Sequence, residues 1–223
     1  LIRSAIGLRL HLMPYLYTLM RDASVHHTPV LRPTFFHFGD DAACWGDNDE
    51  MMVGADLLVA PVFEAGARQR TLYLPRGAHG AGWFDYWTQT YFEGGQTVTV
   101  DAPLDRLLLF VRAGALLPTT DTASDLAKTE EASRALRYFP VLVAAGPSES
   151  DARLFEDNGL QTTFASDQCV THAFHALATA DSLQLSVTSE GTWTLPYSSI
   201  RVVLPTAEKR ALQLPANSLL RLT

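Results

Sequence analysis

The chain has 223 residues, about one and a half domains at the usual ~150 residues per domain. Its 17 basic and 24 acidic side chains give a net charge of −7 with no basic run, which excludes the clustered Lys and Arg of a nucleic-acid surface. Hydrophobic residues at 47% can fill a core, no apolar run reaches the roughly eighteen residues of a membrane span, and two cysteines, Cys44 and Cys169, cannot make a disulfide scaffold.

Residues 1 to about 25 read as a helix, with Ile2, Ile6, Met13, Leu16, Tyr17 and Met20 at three- and four-residue spacing. Leu8, Leu12, Tyr15 and Leu19 fill a second face, and a helix apolar on two faces is expected to lie between other elements. Pro14 should kink it, because its ring removes one backbone donor and collides with the preceding turn. His26 and His27 close the helix, where a cation is mildly favourable. The run from Pro29 to Phe38, bounded by Pro and by Gly39-Asp40-Asp41, predicts a fully buried strand.

From Asp56 the pattern becomes that of a sandwich. Strand-like runs at 56–62, 69–74, 82–87, 96–100 and 107–112 are separated by Gly- and Pro-bearing turns. Thr97 and Thr99 alternate with Val98 and Val100, the two-residue period of a half-buried strand. Residues 119 to about 133 are polar and Ala-rich and read as a linker. A second series follows at 136–144, 153–156, 170–178, 182–188, 200–204 and 211–214. The fold class expected is mainly β: antiparallel β-sandwich domains preceded by one helix and one strand.

Little local chemistry stands out. His172 and His175 are three apart, a spacing suited to a metal on a helix, but in a strand these positions face opposite sides, and no metal site is expected. There is no G-x-S-x-G elbow, Gly-rich phosphate loop or H-E-x-x-H, so no cofactor is expected either. Asp40, Asp41, Asp47 and Asp49 crowd one loop. They suit paired acid work or a cation, or else ordinary turn formation through their own backbone. Glu156-Asp157-Asn158-Gly159 reads first as a hairpin turn, since Asn-Gly supplies positive φ angles. The cluster Trp83, Phe84, Tyr86, Trp87, Tyr91 and Phe92 suits cross-strand packing or a sugar-stacking platform.

Several phrases taken in order resemble a known family. They are Leu12-Met-Pro-Tyr-Leu-Tyr-Thr-Leu19, Pro29-Val-Leu-Arg-Pro-Thr-Phe-Phe36, Gly54-Ala-Asp-Leu-Leu-Val-Ala-Pro-Val62, Leu72-Tyr-Leu-Pro75 and Trp83-Phe-Asp-Tyr-Trp87. Ala102-Pro-Leu-Asp105, Phe110-Val-Arg-Ala-Gly114 and Leu154-Phe-Glu-Asp-Asn-Gly159 continue the series. Together they resemble the C-terminal part of glycoside hydrolase family 31, the α-glucosidase and α-xylosidase family, densely over residues 9–118.

The resemblance implies that residues 1–53 are the last helix and strand of a catalytic (β/α)8 barrel. It implies a proximal C-terminal β-sandwich at 54–120, a linker at 121–133 and a distal β-sandwich at 134–223. It also implies that the nucleophile, the acid/base and a substrate-binding His stand upstream, so no catalytic residue is assigned to any position here. His37 and Gly39 depart from the family's commoner F-E-F-P. The chain opens at Leu1 without an initiator Met and is expected to be a piece of a longer polypeptide. Its implied partners are an upstream barrel and, through it, an α-linked saccharide. Alone, it should expose apolar surface over residues 1–38 and form an oligomer or exchange strands between copies. A carbohydrate-binding module using Trp83, Tyr86 and Trp87 is the alternative function.

Overall fold

The computed structural model describes residues 2–46, 49–77, 81–120, 134–141, 147–159, 168–197, 199–214 and 220–222. The expected linker at 121–133, together with Asp47, lies outside the described residues. The chain is mainly β, with two helices and sixteen strands among these residues. It divides into two compact units, one of Pro29–Gly114 with the first turn of the opening helix, the other of Ile6–Thr28 with the described residues from Ala115 onward.

The first unit is built on a six-stranded sheet of order β1-β2-β3-β8-β5-β6 and a two-stranded β4-β7 pair. The strands are β1 (Leu31–Pro33), β2 (Met51–Val53), β3 (Leu57–Ala60), β4 (Gln69–Leu74), β5 (Trp83–Asp85), β6 (Tyr91–Phe92), β7 (Gln96–Asp101) and β8 (Leu108–Arg112). Met52, Leu58, Ala60, Trp83, Leu108 and Phe110 of the large sheet share one core with Leu72 and Leu74 of β4. In β7 the threonines face out and Val98 and Val100 face half inward, so the sequence alternation is realised. At Gly82 an added Cβ would collide with the Phe92 carbonyl oxygen, so only glycine lets the chain enter β5 this close to β6.

One expectation fails here. Residues 29–38 do not make a long buried strand. Only Leu31–Pro33 is strand, paired antiparallel with β2 at the edge of the sheet, with Leu31 and Pro33 exposed. Pro33 has no N–H to continue the ladder, and the chain turns directly into a 3-10 turn at Thr34–Phe36.

The second unit is a sandwich of two four-stranded sheets, β16-β14-β10-β9 and β11-β12-β13-β15. Its strands are β9 (Ala115–Thr120), β10 (Arg134–Phe139), β11 (Ser148–Asp157), β12 (Cys169–Ala178), β13 (Ser182–Gly191), β14 (Ile200–Val203), β15 (Ala211–Gln213) and β16 (Leu220–Leu222). Leu116, Leu136, Tyr138, Ile200 and Val202 from one sheet meet Leu154, Phe174, Ala176, Leu183 and Leu185 from the other. The hairpin pairings are antiparallel, whereas β10–β14, β14–β16 and β13–β15 run parallel, each joined by the long connection that parallel neighbours require.

The helical pattern splits into α1 (Ile2–His11) and α2 (Met13–His26), with Pro14 in the first turn of α2. Leu12 still donates to the Leu8 carbonyl and Leu16 to that of Leu12, so the break is confined to the donor that Pro14 lacks. His27 closes α2 in the left-handed region. Only one face is covered: Leu12, Tyr15, Thr18 and Leu19 are buried, while α1 buries none and Ile6, Met20 and Val25 stay exposed. Among the described residues, the helix therefore lacks the second partner its two apolar faces predict.

Candidate functional site

Each group that the sequence singled out can be placed, apart from Asp47, which lies outside the described residues. In the acidic loop, Asp41 caps the 3-10 turn Ala42–Trp45 by accepting from the Ala43 amide. Its other oxygen accepts from the Tyr73 hydroxyl at 2.7 Å and the Arg76 amide at 3.0 Å. Burial raises its pKa, but these donors outweigh burial and hold the carboxyl below its ordinary value. Asp49 lies 3.3 Å from Arg70, which also reaches Glu50 at 3.5 Å. Asp40 is exposed. Among the described residues, Asp41 is thus held as a turn former and Asp49 by Arg70, on separate partners.

At the end of β11, Asp157 accepts from the Tyr17 hydroxyl at 2.7 Å and from the Gly159 amide at 2.8 Å, with Gly159 at positive φ. The adjacent Glu156 is buried, and accepts from Arg134 at 2.6 Å and from the Tyr197 hydroxyl. Burial pushes its pKa up despite the guanidinium. The turn is not a two-residue hairpin: β11 ends at Asp157 and its antiparallel partner β12 begins at Cys169.

His172 is buried with Nδ1 at 2.7 Å from the Ser189 hydroxyl, whereas His175, on the opposite face, meets Asp151 at 2.9 Å. No group of three or more potential metal ligands occurs among the described residues.

The aromatic cluster overturns the binding-module alternative. Trp83 is 0% exposed, with its indole N–H donated to the Pro75 carbonyl, and Tyr86 is 4% exposed. Neither ring can reach a sugar, because both are core. Trp87 is partly exposed but stands edge-on to Tyr86, and its N–H is used by the Leu107 carbonyl.

The sequence reading missed the densest polar group. Arg32, buried within an apolar run, donates through Nε to the Pro29 carbonyl at 2.6 Å and through Nη1 to Nε2 of His37 at 2.7 Å, with its guanidinium over the Phe36 ring. Arg112 binds Asp56 at 3.0 Å. Burial raises Asp56 while Arg112 and Arg32 oppose the rise. Burial, then Arg32 and Arg112, push His37 down to about 4, so the imidazole is neutral and accepts from Arg32 through Nε2. The available signal was Arg32 itself, since a charge inside an apolar strand must be paired. The Arg32 bonds fasten β1 to the segments on either side of it, and the Asp56–Arg112 pair fastens the turn before β3 to β8. It is structural chemistry.

Residues 27–117 match the Glycosyl hydrolase family 31 C-terminal domain. The chain is 30% identical over 193 residues to alpha-glucosidase 2 of Bacillus thermoamyloliquefaciens, covering 86% of this chain and 23% of that protein. It is 40% identical over 122 residues to human neutral alpha-glucosidase C, covering 55% of this chain and 13% of that one. Among solved structures it is similar to a GH31 dextranase of Flavobacterium johnsoniae complexed with isomaltotriose, at TM-score 0.80 and 26% identity, covering 91% of this chain and 25% of that one. A GH31 alpha-xylosidase of Xanthomonas citri aligns at TM-score 0.73 and 27% identity, covering 88% of this chain and 21% of its own. The chain thus spans less than a quarter of the length of these curated relatives.

Proposed function

We propose, for a chain that belongs to glycoside hydrolase family 31 as a C-terminal part of such an enzyme, a non-catalytic role: it buttresses the catalytic barrel of a retaining α-glycosidase and is inactive alone. The observation that carries this reading is that the chain aligns over 86% of its own length with a relative of which it makes up only 23%. Retaining hydrolysis needs two carboxyl groups about 5 Å apart, one to attack the anomeric carbon and one to protonate the leaving oxygen. Asp41, Asp49, Asp56, Glu156 and Asp157 are instead each engaged by a structural donor or cation. In the parent polypeptide the barrel would carry both acids. The sheets described here would support its flank, as would the half-covered helix, and fix the loops that present those acids.

The test is turnover by the purified chain on aryl α-glucosides and α-xylosides. No release above background is expected. Hydrolysis that disappears in Asp40→Asn, Asp41→Asn or Asp157→Asn would overturn the reading and make this a self-sufficient hydrolase.

A further inference from the structure

On the first unit, Phe35 and Trp45 stack with ring centroids 4.9 Å apart and planes 11° from parallel. Phe35 lies within the 3-10 turn Thr34–Phe36, and Trp45 ends the next one, Ala42–Trp45. Trp45 keeps 63% of its surface exposed, so the indole face turned away from Phe35 is open. An exposed Trp ordinarily samples several rotamers. Here Nε1–H donates to the Gly39 carbonyl at 2.7 Å, which together with Phe35 fixes the plane of the ring. The one polar group of the indole is used inside the protein, and what faces outward is a rigid apolar plate.

One free carboxylate stands next in sequence to the group that holds the plate. Asp40 directly follows the carbonyl that holds Trp45, is exposed, and has no hydrogen bond or ion pair among the described residues, whereas Asp41 is fully committed to Ala43, Tyr73 and Arg76. Ala42 and Ala43, between Asp41 and Cys44, are exposed and end at Cβ. An apolar protein segment laid on the indole would strip water from the Asp40 carboxylate without giving it a partner. A pyranose would not. Its C–H face packs on an aromatic ring while its hydroxyls donate to a neighbouring carboxylate in charge-assisted bonds.

We propose that Phe35 and Trp45 form a saccharide-stacking site, with Asp40 accepting the sugar hydroxyls, that holds a pyranose of an α-linked glucan. The choice of an α-glucan rests on the function proposed above; the plate and the Asp40 carboxylate do not.

The experiment is a titration of the isotopically labelled chain with isomaltotriose, following the indole N–H resonances. Movement of the Trp45 resonance that saturates with a dissociation constant on the order of 1 mM is expected, with the buried Trp83 resonance unmoved. Trp45→Ala should abolish saturation, and Asp40→Asn should weaken binding about tenfold, with an unchanged Trp83 resonance reporting the intact fold. A Trp45 signal that ignores the sugar, or one that moves with protein concentration instead, overturns the site; the latter assigns the plate to contact between copies. Saturation that survives Trp45→Ala also overturns it. Hydrolysis assays on the same preparation report on the non-catalytic reading separately, so either can fail alone.

Discussion

The Thr18 hydroxyl accepts the Phe155 amide at 3.0 Å while donating its own proton to the Pro14 carbonyl at 2.9 Å. One side chain therefore satisfies a buried donor of β11 and a carbonyl in the first turn of α2, across 137 positions of sequence. Thr18→Val keeps the shape and strands the amide. A loss of roughly 1–3 kcal/mol is expected, read by urea denaturation, with Thr18→Ser recovering most of it.

The two tryptophans on either side of Tyr86 should behave oppositely. Trp83→Ala empties the middle of the first unit's core and removes the donor to Pro75, and a loss of about 3–5 kcal/mol is expected. Trp87→Phe, at the partly exposed edge, should cost about 1 kcal/mol or less. Thermal or chemical unfolding of both variants checks the assignment of this cluster to packing.

Acid should loosen the first unit through His37. Its folded pKa of about 4 lies below the unfolded value of 6.5, so the unfolded chain takes up a proton that the folded one refuses. The stability held by the neutral ring is complete above about pH 6.5. It is lost as pH falls toward 4 and does not change further below that. His37→Gln, which can still accept from Arg32 and does not titrate, should flatten the decline by up to one proton in denaturation curves taken across this window. His11, lowered to about 4 by burial and then by Arg137, should continue the decline in the variant.

Arg112 should matter chiefly because of what it leaves behind. Arg112→Met takes away the ion-pair partner of the Asp56 carboxylate, whose side chain is only 15% exposed, and a loss of about 3 kcal/mol is expected. The double variant Arg112→Met with Asp56→Leu should regain much of that loss, since neither charge is then buried unpaired. A double-mutant cycle by urea denaturation measures the difference.

Several elements were legible from residues alone because their signal is local. The alternation of Gln96–Asp101, the span of Gln69–Leu74 and the helix breaking near Pro14 all follow from backbone periodicity and from one missing donor. The short β2, β6 and β16 carry too few residues to show a period, and β9 ran into the polar stretch that reads as linker.

Partnership was not legible, because a sequence states how apolar a side chain is without stating what covers it. The alternating aromatics at 83–87 suited packing first and a platform second, and Trp83 and Tyr86 are buried, while Trp45, unremarked in its acidic loop, is exposed. Periodicity comes from neighbours along the chain, and burial comes from neighbours in space. Composition, strand spacing and family therefore belong to the sequence. The covering of a ring, the pairing of Arg32 with His37 and the seating of α2 on β11 belong to the fold.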